Sequence, residues 1–300
     1  MATKDIPVYN IDHLSQFKQK DIQISCFAPY LKVHKNLHLA HKHSFYHLIL
    51  FTQGAGHHEI DFHRYPVRPY QIYFMIPGQV HSWSFQGPVD GYVINFSVPF
   101  FQSFLIQPDY LEQFAFFNGI IEDSVIELPE EIQSEVKAYF DQLVRESEQS
   151  QPYGFDMVKS IMLQLFFTIA RISFNENTSK ITSHNYKLLR KFQKTIEKHY
   201  GMKRLPKDYA ELLHVTPNHL NAVCKDLLGV SAGEVIRNRI VLEAKRQLIN
   251  LDLSISEIAY KLNFDDNSYF TKFFRKQAGL TPEEFRREAV RQASNNTQLG

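Results

Sequence analysis

Residues 205–285 decide the reading of this chain. They contain KDYAELLHVTPNHLNAVCKDLLG (207–229), SAGEVIRNRIVLEAKRQLIN (231–250) and SISEIAYKLNFDDNSYFTKFFRKQAGLTPEEF (254–285). The outer pieces share one grammar: a short amphipathic helix, a tight turn and a second amphipathic helix. In the first, the pattern predicts a helix from Lys207 to His214 with Tyr209, Leu212 and Leu213 as its apolar face. A second helix opens at Thr216, a capping residue, with Pro217 at its first helical position. Leu220, Val223, Cys224 and Leu227 recur at helical spacing, and Gly229 stops the run. In the second piece, Ser256–Leu262 is the first helix, with Ile258, Ala259 and Leu262 inward. Asn263 occupies the turn, where a left-handed backbone is wanted, and His214 is its counterpart. Asn267–Gln277 is the second helix, with Phe270, Phe273 and Phe274 inward and Gly279 as the stop. Thr281-Pro282-Glu283-Glu284 then opens a closing helix with a capping-box pattern.

Helix, tight turn, helix is the pattern of a DNA-reading motif, and here it occurs twice. A helix over 233–250 joins the copies, with Ile236, Ile240, Ala244 and Leu248 on every fourth residue. Eighteen residues span roughly 27 Å, a strut suited to two reader helices about one DNA turn, about 34 Å, apart. The outward residues are the candidate DNA contacts. Asn221 has the chemistry for paired hydrogen bonds to adenine, and Lys272 for guanine O6 and N7. Asn218, Asn267 and Ser268 are further base-edge candidates, and Thr271 shares their face. Lys225, Arg275 and Lys276 are suited to phosphates, which give affinity without sequence discrimination.

This arrangement resembles the DNA-binding domain of the AraC/XylS family of bacterial transcription regulators. The matching residues are Ala244-Lys245-Arg246-Gln247-Leu248-Ile249, Ser256-x-Ile258-Ala259, Phe264, Tyr269-Phe270, Phe273-Phe274-Arg275-Lys276, Gly279 and Thr281-Pro282. The resemblance covers nearly all of residues 183–290. The turn glycine common in the family is replaced by His214 and Asn263. The resemblance implies a transcription regulator with RNA polymerase as a partner.

Charge divides the chain in the same way. Residues 180–300 hold 21 Lys and Arg against 13 Asp and Glu, a net +8; residues 1–179 hold 12 against 19, a net −7. A polyanion partner is therefore expected for the C-terminal part alone. The two cysteines, Cys26 and Cys224, fall in different expected domains, so no disulfide framework is expected and a reducing cytoplasm fits. The N-terminal MATKDIPVYN has no apolar signal core, and the most apolar run, 161–170, is too short to span a bilayer. No membrane association is expected.

The N-terminal part reads differently. After a loose arm over 1–20, short strands are expected at 22–27, 37–40, 45–51, 58–62, 71–76, 83–85 and 92–96, which suggests a small barrel or jelly roll. The segment resembles a cupin barrel of the kind that precedes the DNA-binding domain in many AraC-type regulators. His41-x-His43, His47, Gly54 and Ile76-Pro77-Gly78-Gln79-Val80-His81 carry that resemblance. His47 stands where metal cupins have a Glu, and Tyr70 where the second motif opens with Gly. His41 and His43 share one face of a strand, so His41, His43, His47, His81 and Trp83 are the candidate effector-binding residues. No cofactor is expected; if a metal is bound, His41, His43, His47 and His81 are its ligands.

Helices are expected at 99–106, 110–117, 130–148 and 155–174, the last two in helical period. In AraC-type regulators such a pair often forms a dimer interface, so a homodimer is expected; the alternative is that the pair only covers the barrel. Residues 173–183 read as a polar linker and 291–300 as a frayed tail. The expected protein is thus an α+β chain of two domains. Residues 1–178 form a cupin-like barrel with trailing helices, for a small-molecule effector and dimerisation. Residues 179–300 form an all-α domain of two helix-turn-helix motifs on a long helix, for double-stranded DNA. A metal-dependent oxygenase or isomerase would share the histidines, but no paired carboxylates, nucleophile motif or phosphate loop accompany them. An architectural DNA protein would use the basic surface without a sensory barrel.

Overall fold

The computed structural model describes residues 8–11, 21–34, 40–101, 110–149, 151–181 and 184–297; nothing is described of the side chains at 112, 121, 122, 173–181 and 292–297. The chain divides into two units, Pro7–Ser173 and one containing Phe174–Gly300.

The N-terminal unit is built on two five-stranded sheets. Its strands are β1 (Val8–Tyr9), β2 (Ile22–Cys26), β3 (His41–His43), β4 (Tyr46–Gln53), β5 (Gly56–Ile60), β6 (His63–Pro66), β7 (Gln71–Met75), β8 (Val80–Phe85), β9 (Asp90–Phe96) and β10 (Val125–Glu127). One sheet runs β1-β3-β8-β5-β6 and the other β10-β7-β4-β9-β2. Strand alternation explains the layers. In β4, Ile49 and Phe51 point to the space between the sheets, where they meet Tyr73, Met75 and Val93 of their own sheet and Ile60 and Trp83 of the other. Leu48 and Leu50 point the opposite way, with Ile72, Phe74, Ile94 and Phe96. Apolar demand on both faces makes β4, β7 and β9 read as nearly continuous apolar runs.

Helices cover that outer face. They follow α1 (Phe27–Val33) and the single turn α2 (Ile121–Ser124), and are α3 (Glu130–Glu148) and α4 (Gly154–Ile181). Val136, Phe140 and Leu143 of α3 and Ile161, Met162, Leu165, Phe166 and Ile169 of α4 pack in the same core as the sheet. The apolar stripes that gave these helices away are therefore used within the unit.

Several local expectations are corrected. Part of the expected arm is β1, which pairs parallel with β3, Tyr9 opposite His43. The strand expected at 37–40 has only residue 40, a bend, among the described residues; β3 starts at His41. Of the helix expected at 99–106 only residues 99–101 are described, within a 3-10 turn over Val98–Phe101, and 110–117 forms two 3-10 turns. The expected linker is helical as far as Ile181, because α4 extends through it; lengthening a formed helix needs no new nucleus. The expected tail is helical to Thr297.

The C-terminal unit is helical throughout: α5 (His184–His199), α6 (Pro206–Leu212), α7 (Pro217–Leu228), α8 (Ala232–Leu248), α9 (Ile255–Lys261), α10 (Asn267–Ala278) and α11 (Pro282–Thr297). Each boundary has a local cause. The side chains of Thr216, Ser231, Ser254 and Asp266 accept the N–H groups of His219, Glu234, Glu257 and Tyr269, as helix N-termini require. Gly229 and Gly279 end α7 and α10 in the left-handed conformation, φ 73° and 80°. Ile236, Ile240, Ala244 and Leu248 of α8 lie in one core with Leu220, Val223 and Cys224 of α7 and Phe270 and Phe274 of α10.

Candidate nucleic-acid interface and barrel site

The two reader helices are the same device built twice. Counting from the cap, Pro217 corresponds to Asn267 and Gly229 to Gly279, a constant offset of 50. The turns also match. His214 and Asn263 both take positive φ, 55° and 58°. Val215 N–H donates to the Ala210 carbonyl as Phe264 N–H does to that of Ala259, both at 2.9 Å. The second turn is one residue longer between its left-handed residue and its cap.

Burial sorts the candidate contacts. Asn218, Lys225, Asn267, Ser268, Lys272, Arg275 and Lys276 are exposed, and Thr271 is half-buried. Asn221 is half-buried, and its Oδ1 accepts the backbone N–H of Ala232 at 3.2 Å. Ala232 is the first residue of α8, whose leading N–H groups have no partner within the helix. Asn221, expected to read adenine, thus has its oxygen engaged in tying α7 to α8. At the offset of 50, Thr271 and Pro282 stand in the places of Asn221 and Ala232, and Pro282 has no N–H to satisfy. Two residues missed in the sequence, His219 and Tyr269, are exposed at the same turn of each helix, Tyr269 at 56%. The signal was available, since both follow their cap by three residues.

The two copies are held together by Arg204. One of its Nη atoms donates to the carbonyls of Leu262 at 2.7 Å and Asn263 at 2.5 Å, and its guanidinium lies 3.7 Å from the centroid of the Phe264 ring. It thus joins the segment that leads into the first reader motif to the turn of the second. From α8, Arg239 donates to Glu197 of α5 at 2.8 and 2.9 Å and to Glu243 at 3.2 Å, over the ring of Tyr200.

In the N-terminal unit the predicted barrel residues converge. His41, His43, His47 and His81 are buried on the inner face with Trp83. Ring centroids of His41 and His81 are 4.1 Å apart, those of His43 and His47 4.7 Å, and those of His81 and Trp83 4.9 Å. Register explains it: His41 pairs with His81 across β3 and β8, while β4 presents His47 from the opposite sheet, beside Asn95. His58 of β5 joins the cluster, its Nε2 3.0 Å from Nδ1 of His81. Tyr9 sits edge-on to His41, centroids 5.4 Å apart. Sequence reasoning gave neither His58 nor Tyr9 a role, because strand pairing, not spacing, brings them in. Tyr70 takes φ 59°, so the left-handed turn survives where the cupin pattern has Gly.

Hydrogen bonding fixes the form of one imidazole. The Asn95 amide nitrogen donates to Gln23 Oε1 at 2.9 Å, which turns Asn95 Oδ1 to His47 Nδ1. His47 Nδ1 must then be the donor, and Nε2 carries the lone pair. Burial pushes His47 down to about 3, with the Asn95 bond acting against the fall and His41 adding to it. Burial first, then repulsion among the imidazoles, holds His43, His58 and His81 well below the ordinary histidine value. These four rings are neutral, the form that binds transition metals and exchanges hydrogen bonds with polar ligands. Among the described residues, His43 Nδ1, His47 Nε2, His58 Nδ1 and Trp83 Nε1 are buried without a hydrogen-bond partner.

Known proteins match this architecture. Residues 32–166 match the family model described as the AraC-like ligand binding domain, and residues 209–288 the one described as a helix-turn-helix domain. The HTH-type transcriptional activator RhaR of Yersinia pestis bv. Antiqua (strain Angola) is 19% identical over 261 residues, 84% of this chain and 85% of that protein. RhaR of Enterobacter sp. (strain 638) is 20% identical over 262 residues, 86% and 90% of the two chains. Among solved structures, wild-type ToxT from Vibrio cholerae strain SCE256 with unsaturated fatty acid bound is 13% identical. That alignment covers 91% of this chain and 97% of ToxT with a TM-score of 0.44. The chain is a DNA-binding transcription regulator with an N-terminal ligand-binding domain. It belongs to the AraC/XylS family. Among the described residues no helix is long and apolar enough to cross a membrane.

Proposed function

We propose that the protein binds a specific double-stranded DNA site through α7 and α10, laid in successive major grooves on one face of the duplex, under control of an effector in the barrel. The observation that carries this reading is the repeated reader: two helices with the same caps, the same stop and the same exposed face, offset by 50 residues. Asn218, His219, Asn267, Ser268, Tyr269 and Lys272 are the base-edge contacts, the last suited to guanine. Lys225, Arg275 and Lys276 hold phosphates, and Thr271 packs at the edge of the interface. Residues 1–178 form the sensing part, with His41, His43, His47, His81 and Trp83 in its site, and residues 179–300 the reading part.

The chain acts in the cytoplasm, where its DNA partner is, as a homodimer that contacts RNA polymerase. Activation, the action in the names of the RhaR relatives, is the proposed outcome. Because the sheet buries most of the α3 and α4 stripes, the dimer would use Phe155, Met157 and Phe167, large apolar side chains that α4 leaves exposed.

The test is selection of bound sequences from a random DNA pool by wild type, Ser268→Ala and Lys272→Ala. A consensus that loses information at separate positions in each variant is expected. One consensus for all three proteins, or none for wild type, overturns the reading.

A further inference from the structure

We propose that Arg204 fixes the angle between the two reader helices, and with it the number of base pairs the protein requires between the two halves of its DNA site. This rests on the reading of α7 and α10 as a pair on one duplex. Both motifs pack on α8, but α8 ends at Leu248, and a turn over residues 249–254 precedes α9. A long helix sets how far apart the motifs stand. It does not set how the second is rotated about that turn. Arg286 of α11 donates to the carbonyls of Leu248 at 2.9 Å and Leu253 at 2.6 Å, so the turn is braced from the side of the second motif. A brace from the first motif has to come from elsewhere.

Arg204 supplies it. On the first motif's side the neighbouring backbone is held. The hydroxyl of Tyr209, a core residue of α6, donates to the Lys203 carbonyl at 2.9 Å, and the Lys203 N–H donates to the His199 carbonyl at 2.8 Å. On the other side one guanidinium nitrogen reaches the carbonyls of both Leu262 and Asn263, and the group lies over the Phe264 ring. Phe264 in turn meets the rings of Tyr269, Phe270 and Phe273 of α10, with centroids 5.7, 5.1 and 5.1 Å away. A continuous path therefore runs from the core of the first motif to the reader helix of the second. It ends beside Tyr269, one of the proposed base-edge contacts.

The arginine is not part of the repeat. Counting from the caps Leu205 and Ser254, the residue before the cap is Arg204 in the first copy and Leu253 in the second. Its Nε is buried without a partner, which makes the group a costly stabiliser and leaves position as what it contributes. DNA makes that position readable. At 10–10.5 base pairs per turn, one added pair moves a half-site about 3.4 Å along the axis and about 35° around it. A rigid pair of readers cannot follow that rotation, and a loosened pair can.

The test measures the affinity of full-length protein for its selected site and for versions with one base pair added or removed between the halves. Wild type is expected to lose about tenfold or more on either shifted site, the effect of about one mismatched base pair. Arg204→Ala is expected to lose about threefold or less between the same sites while binding the best of them more weakly, because its second reader is ordered only on binding. Arg204→Lys keeps a donor but not the planar group; it falls between the two, and it is the variant used if the Ala protein does not fold. Leu188→Ala is the control: it weakens the core of the helical unit from α5 and keeps the wild-type loss on shifted sites. Wild-type discrimination in the folded Arg204 variant, or equal loss of discrimination in Leu188→Ala, overturns the proposal. A second measurement needs no DNA. In a Cys26→Ser background, with Cys224 buried, spin labels on Asn218→Cys and Ser268→Cys report the distance between the readers. One narrow distribution is expected with Arg204 in place and a broader one in Arg204→Ala; equal widths overturn the proposal. If the widths differ but wild type selects no paired site, the DNA-reading function fails and the joint stands.

Discussion

The two reader helices share a frame and differ in what the frame presents. Both are capped by a side-chain oxygen that accepts the N–H three residues on, both stop at a left-handed glycine, and both bury one face on α8. Yet the last turns of α7 carry Lys225 and Asp226, whereas those of α10 carry Lys272, Arg275 and Lys276. Asn221 is spent on the neighbouring helix, and its counterpart Thr271 is not asked to do that work. The repeat therefore conserves geometry and varies chemistry: the second copy is built to grip the polyanion, while the first offers a mostly neutral face.

Charge removal is the strongest way to break that comparison. Replacing Arg275 and Lys276 together by Ala is expected to make the slope of log affinity against log salt shallower by about 1.8, since each lost phosphate contact removes about 0.9. Lys225→Ala should remove about 0.9. Equal slopes for the two variants would show that the copies share the electrostatic load.

Arg204→Ala comes next. Loss of two charged hydrogen bonds to Leu262 and Asn263 carbonyls and of the stack on Phe264 should cost about 2 kcal/mol, read by denaturant unfolding of the helical unit. Unchanged stability would mean that the two motifs hold their places without this clamp. Asn221→Ala should cost about 1 kcal/mol, because the Ala232 N–H is left unpaired, with base preference retained. Thr271→Ala should stay within about 0.5 kcal/mol. A changed consensus in Asn221→Ala, with stability intact, would restore it as a reader. The smallest effect is expected at the turns. His214→Gly should stabilise by about 1 kcal/mol or less, relieving a left-handed non-glycine residue, and Asn263→Gly by less, because Asn tolerates that conformation. A thermal melt that falls for His214→Gly would mean that its side chain makes a contact worth more than the strain.

What was legible in the sequence follows from the range of each signal. Thr216, Pro217, Gly229 and Gly279 act within one helical turn, so their neighbours along the chain announce them. Asn263 and His214 were expected in left-handed turns and are found there. The barrel was readable from its run of short strands, and the shared face of His41 and His43 from strand alternation, but the two layers were not, because β4, β7 and β9 are apolar on both faces. The bond from Asn221 to α8 was not legible because its partner is 11 residues away on another helix. His58 was passed over because its partner, His81, is 23 residues away and reached through strand register. Residues 173–181 look like linker by composition, and no local signal says that a helix already formed upstream will continue through them. β1 and β10, two and three residues long, are too short to show a period.

The most direct test of the double reader is a hydroxyl-radical and methylation footprint of the purified protein on a selected site. Two protected major-groove windows, about one helical turn apart on one face of the duplex, are expected for each bound chain, and Lys272→Ala should weaken only one of them. A single window per chain, or two on opposite faces of the duplex, would contradict the paired grip.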